Sequence, residues 1–146
     1  MIFSYQKHID NLRTVEIRLP ENAEHQHIGT ELATINGTTY VFLPDTDALP
    51  DQPIEIDVVP VALTDELRDQ IKAASPHVQL INDRIKARIR ERYDAEDEMY
   101  FARISIGAII GQYTMEPGEA VRVAEYGVFV EGVRQWGRDE KAAMGL

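Results

Sequence analysis

His25 and His27, with Glu21 and Glu24 close by, are the residues of this chain that come nearest to a metal-binding pattern. On extended backbone the two imidazoles fall on one side, and Glu21, Glu24 or His8 would have to supply the remaining ligands a site requires. Two solvated histidines in a loop ahead of a strand account for the same residues without an ion, so no metal is assigned. Asp45, Asp47 and Asp51 offer carboxylate oxygens. The spacing, the glycine and the terminal glutamate of an EF-hand are missing, and a turn-forming acidic loop is the better reading.

Nucleophilic chemistry finds no support. Cysteine is absent, which excludes disulfides, thiolate nucleophiles and thiolate-held zinc or iron–sulfur clusters. No GxSxG, HExxH or P-loop pattern occurs. With 25 acidic residues a carboxylate pair could always assemble, so their abundance discriminates nothing. The expectation is a non-enzymatic protein with no catalytic residues and no cofactor.

Positive charge concentrates at Arg84, Lys86, Arg88, Arg90 and Arg92. At about 100° per residue these spread over more than half of a helix circumference and form no single stripe. Glu91 and the acids of 94–98 lie beside them, so local ion pairs are the natural alternative. Arg84, Arg88 and Arg92 edge an apolar stripe and are candidate partner contacts. The formal charge is −10, with ten acids against three bases in residues 1–60 and fifteen against twelve in 61–146. Phosphate backbones and anionic membrane surfaces both require clustered positive charge, so neither nucleic acid nor membrane is expected as a partner. No apolar run approaches a membrane span, and the first residues lack the order of a secretory signal.

The elements that must position these residues follow from periodicity. Thr14–Leu19 alternates strictly and Pro20 ends it. Glu31–Ile35 and Thr38–Leu43 flank Asn36-Gly37, a strong hairpin signal. Ile54–Val58 alternates again. Pro44, Pro50, Pro53 and Pro60 fence these segments and are excluded from central strands. A small antiparallel sheet of three or four strands is expected, with residues 44–53 as a solvated loop.

Helical signals take over near Leu63. Thr64 caps a helix with Asp65 and Glu66 in its first turn, ending by Ala74. Ser75-Pro76 restarts a helix whose stripe is Val78, Ile81, Ile85 and Ile89. Asp94 caps a third, carrying Met99, Ala102, Ile106, Ile109, Ile110 and Tyr113, with Phe101, Ile104 and Ala108 around the side. So wide an apolar arc implies a central helix or one that faces a partner. Glu116-Pro117 starts the last helix, with Val121, Ala124, Val128, Gly132 and Trp136 expected to face inward. Gly127, Gly132 and Gly137 each cost about 1 kcal/mol against alanine there, which suggests a close backbone approach, a bend or a break. Trp136 packs on the third helix or anchors an interface. Phe101, Ile104, Ala108 and Trp136 join the three arginines as candidate partner contacts. The fold class is α+β, with a β subdomain over residues 1–62 and a helical subdomain over 63–146 that share one core.

The run Ser75-Pro76-His77-Val78-Gln79-Leu80-Ile81-Asn82, continuing to Ile89-Arg90-Glu91-Arg92-Tyr93 and Asp97-Glu98, resembles small proteins of tailed bacteriophages. These are encoded near tail-tip and tail-fibre components of long-tailed, often Mu-like, phages. The ending from Phe129 through Trp136-Gly137-Arg138 to Leu146 is similar to their CRAWGR-ExxxLGL-like terminus, over a total of residues 75–146. Val133 stands where a cysteine is common and Met144 where leucine is usual. The resemblance implies a minor structural or adaptor component of the tail tip or fibre, located in the virion tail or in the host cytoplasm during assembly. Its partners would be other tail or fibre proteins, or a second copy of itself. A tail-fibre assembly chaperone absent from the virion is the alternative, and a small phage hydrolase the second alternative.

Overall fold

Asn36 and Gly37 have φ of 50° and 84°, the two left-handed residues a type I′ turn demands. They join β2 (Thr30–Ile35) to β3 (Thr38–Phe42), with Ile35 opposite Thr38. The computed structural model describes residues 1–10 and 12–146. Two further strands, β1 (Ile2–Gln6) and β4 (Val59–Val61), complete a four-stranded sheet in the order β2-β3-β1-β4, every neighbouring pair antiparallel. Four helices follow: α1 (Asp65–Ala74), α2 (Pro76–Arg92), α3 (Ala95–Ile109) and α4 (Pro117–Ala142). The architecture is α+β.

Two expected strands differ from the structure. Thr14–Leu19 forms no ladder among the described residues beyond an isolated bridge between His8 and Thr14. Its alternation nevertheless works, because Val15, Ile17 and Leu19 pack on buried Tyr5, Val41 and Ile56. A side chain stands in for a neighbouring strand. The Gln52 amide oxygen accepts from the Arg18 N–H at 2.8 Å, and its nitrogen donates to the Arg18 carbonyl at 2.9 Å. Ile54–Val58 is also not a strand, and Ile54 is 99% exposed. Pairing begins only at Val59, and Pro60 lies within β4 opposite Phe3. An edge strand tolerates proline because one side of its backbone needs no ladder partner.

Helix starts follow their caps. The Leu67 N–H donates to the Thr64 hydroxyl at 3.2 Å, and the Val78 N–H to Ser75 at 3.4 Å. Asp94 and Asp97 exchange bonds in a capping box.

The chain divides into two units, one of Met1–Leu80 with Lys141–Leu146, the other of Ile81–Glu140. These boundaries fall inside α2 and α4 rather than at residue 62, so α1 belongs with the sheet. In the first unit Ile71 of α1 joins Ile2, Leu32 and Ala33, with Met144 and Leu146 packed against them. In the second, Ile89 of α2 meets Val130 and Val133 of α4, lined by Ile85, Tyr126 and Phe129.

Candidate interaction surface

Aromatic rings hold the second unit together. Tyr93, just past α2, meets Phe101, Tyr126 and Phe129 edge-on at centroid distances of 5.9, 5.1 and 5.7 Å. Such pairs contribute about 0.5–1.5 kcal/mol each beyond the area they bury. Where they point decides the orientation of α4. Val130 and Val133 are buried, while Val121 is 57% and Val128 77% exposed. The inward face expected from Val121, Ala124, Val128 and Gly132 is therefore the outer face. The helix has an apolar stripe on both sides, and the one carrying Tyr126 and Phe129 has more area to bury.

At Gly137 α4 lies close against α2, because a Cβ there would run into the Ile85 side chain. Gly127 and Gly132 face open space, so close packing within the chain explains only Gly137.

Arg88, Arg90 and Arg92 of α2 find partners inside the same unit. The Arg88 guanidinium lies 3.7 Å from the centroid of the Trp136 ring, so half-buried Trp136 is met from α2. Arg92 lies 4.8 Å above Phe129. Arg90 bridges Glu98 at 2.7 Å, and that carboxylate also accepts from the Tyr126 hydroxyl at 3.1 Å. Arg84 is exposed, and no ion pair engages it among the described residues.

Phe101 and Ile104 are interior residues, 6% and 4% exposed, and Ala108 is half-buried beside them. The surface of α3 is made by the opposite side. Met99, Ile106, Ile109 and Ile110 are 74%, 58%, 84% and 62% exposed, with Ala102 among them. Met99, Ala102, Ile106 and Ile109 follow one another at three, four and three residues, which places them on one helix face, and Ile110 caps its end. Arg103 borders that row, four residues after Met99 and three before Ile106, with its guanidinium 5.9 Å from the Tyr100 ring. Each aliphatic side chain left in water forgoes roughly 1.5–3 kcal/mol of burial. A contiguous exposed apolar patch on a helix is the usual material of an interface.

The turn after α3 is fixed by Glu119. Its carboxylate accepts from the Tyr113 hydroxyl at 2.9 and 2.7 Å, from the Tyr100 hydroxyl, and from the Glu116 N–H at 3.1 Å. The last bond is half of a capping box, with Glu119 in the third position of α4 reaching back to the residue before it. These bonds to Tyr100, Tyr113 and Glu116 hold the Glu119 carboxyl below its ordinary range. The same bond to Glu119 pushes Tyr113 up to about 12. A carboxylate so fully engaged by fixed donors has little left for substrate, and its placement explains a turn.

In the first unit a recess of about 550 Å³ is lined by Tyr5, Glu16, Arg18, Glu21, His27 and Glu31, among others. The Tyr5 hydroxyl is buried beside the Ile17 backbone, without a hydrogen bond of standard geometry. Burial and the charge of Glu31 raise its pKa, while the Ile17 backbone works the other way. Lys7 occupies both Glu31 oxygens at 3.1 Å. His25 and His27 flank Glu21 through their Nδ1 atoms at 3.4 and 3.8 Å. Each reaches a different oxygen, and no group of His, Asp or Glu among the described residues is arranged to hold a metal ion. No described helix is long and apolar enough to cross a membrane.

The exposed row on α3 was visible in the sequence as an apolar stripe. Its role as surface was not, because spacing alone cannot say which of two adjoining stripes meets the core. No protein-family model, curated protein or solved structure matches the chain.

Proposed function

We propose that this protein works by binding another protein and catalyses nothing, with the outer face of α3 as its principal contact. The observation that carries this reading is the apolar row Met99, Ala102, Ile106, Ile109 and Ile110, edged by Arg103 and exposed on a helix whose other side already fills the core. An apolar row edged by a single arginine selects a partner surface that is itself largely apolar, such as a helix or sheet face of another subunit. The acidic pairs and tyrosine–carboxylate bonds elsewhere shape turns and solvate the surface.

The resemblance of residues 75–146 to small phage tail proteins supplies the biological setting: a minor tail-tip or fibre-associated component, seated on a neighbouring tail subunit through α3. Mass spectrometry of purified particles, made with the natural chain and with Ile109→Asp, tests this. The natural chain in stoichiometric amount and loss of the folded variant are the expected results. A chain found in lysates and absent from particles, with misassembled fibres on its deletion, would favour the assembly-chaperone role instead.

A further inference from the structure

A second exposed apolar feature lies on α4 and shares no residue with the α3 row. It is a groove of about 570 Å³ walled by Val121, Ala124, Val128 and Phe129, with Arg92 and Glu125 at its rim. Val128, one of its walls, is 77% exposed. Arg92 stacks over Phe129, yet neither it nor Glu125 makes an ion pair among the described residues. Gly132 follows Val128 by one helical turn, and a Cβ built there would meet nothing within 4 Å. Glycine weakens a helix interior relative to alanine, and no neighbour in this unit uses the space that Gly132 leaves open.

We infer that α4 packs antiparallel on α4 of a second copy of this chain, about a twofold axis near Val128. The groove then receives the partner's Val128, and Ala124 of one copy falls opposite Gly132 of the other. Small residues at both positions let the helix axes approach closely. The same operation brings Arg92 of each copy toward Glu125 of the other. An isologous contact requires a surface complementary to itself, and a rim of one base and one acid around an apolar floor meets that requirement. It also answers the repulsion that a chain of net charge −10 would otherwise feel toward its copy, because the contact region is locally neutral. This inference rests on the reading of the chain as a binding protein but uses a different helix face, so the two can fail separately.

Sedimentation equilibrium of the full chain at micromolar concentration is the test, with thermal melts to show that each variant is folded. The natural chain is expected to be a dimer. Val128→Asp, at an exposed position, should give a folded monomer. Glu125→Arg should raise the dimer dissociation constant at least about tenfold, as like charges meet across the contact, with Glu125→Gln intermediate. Ile109→Asp should leave the dimer intact. A natural chain that stays monomeric, or a dimer indifferent to Glu125→Arg, would overturn the inference. A dimer lost with Ile109→Asp and kept with Val128→Asp would place the second copy on α3 and overturn it equally.

Discussion

A Cβ on Gly107 would stand 2.8 Å from the Cβ of Tyr113. The bare backbone at Gly107 is what allows the chain after α3 to fold back. The Gly107 carbonyl also accepts from the Gln112 and Tyr113 N–H groups at 2.8 and 3.0 Å. Tyr113 is thereby delivered to Glu119, and Glu119 starts α4. The path from α3 to α4 thus depends on one missing methyl group.

Substitution at that position should therefore run against helix propensity. Alanine normally strengthens a helix interior by about 1 kcal/mol over glycine. Gly107→Ala is expected to destabilise by about 1–3 kcal/mol, the usual cost of forcing atoms into a filled space. Gly127→Ala, which meets nothing within 4 Å, should stabilise by about 0.5–1 kcal/mol. Urea denaturation of the two variants reads the opposite signs directly.

The tyrosine–carboxylate turn predicts stability lost at both ends of the pH scale. Glu119 has a lowered pKa in the folded chain. Its contribution is complete above the ordinary value of 4.5 and is lost as pH falls through the folded value. Tyr113 is raised from 10.0 to about 12, so its contribution is complete below 10.0 and lost as pH rises toward about 12. Ultraviolet titration of phenolate should show a late-ionising tyrosine that Tyr113→Phe removes. Glu119→Gln should return it toward its ordinary value.

Arg88 and Trp136, 3.7 Å apart, tie α2 to α4. Arg88→Ala is expected to cost about 0.5–2 kcal/mol, in the range of cation–π contacts from exposed to desolvated. In a double-mutant cycle with Trp136→Phe the coupling should be positive, since phenylalanine is the weaker cation binder. Additive losses would show that the stacking contributes nothing.

Gln52 should matter more than an exposed loop glutamine ordinarily does. It supplies both backbone bonds of Arg18, and Gln52→Ala should cost about 1–2 kcal/mol at one or two modest hydrogen bonds. Hydrogen exchange gives the sharper readout, because the Arg18 amide should lose its protection while Val41 in β3 keeps its own.

How much of this was legible in the sequence depends on how local each signal is. Thr64, Ser75 and Asp94 marked helix starts correctly because a cap needs only the next three residues. The Asn36-Gly37 turn was equally self-contained. Thr14–Leu19 showed which of its side chains face inward, yet pairing depends on a neighbour, and here the neighbour is one glutamine side chain. β1 is poorly legible because only Phe3-Ser4-Tyr5-Gln6 alternates, too short a run to stand out, while buried Ile2 and Tyr5 serve two different clusters. The orientation of α4 is not legible because apolar residues line two of its sides and only packing chooses between them. For the same reason spacing does not show that Phe101 and Ile104 turn inward while Met99, Ile106, Ile109 and Ile110 make the surface.

The central claim is that the exposed row on α3 is a docking face. The direct measurement is hydrogen–deuterium exchange of the chain, free and within the tail particles it is proposed to join. The account predicts that amides of residues 99–110 gain protection in the particle and that Ile109→Asp, folded when free, fails to incorporate. Incorporation of Ile109→Asp at the natural stoichiometry, with exchange across α3 unchanged, would contradict it.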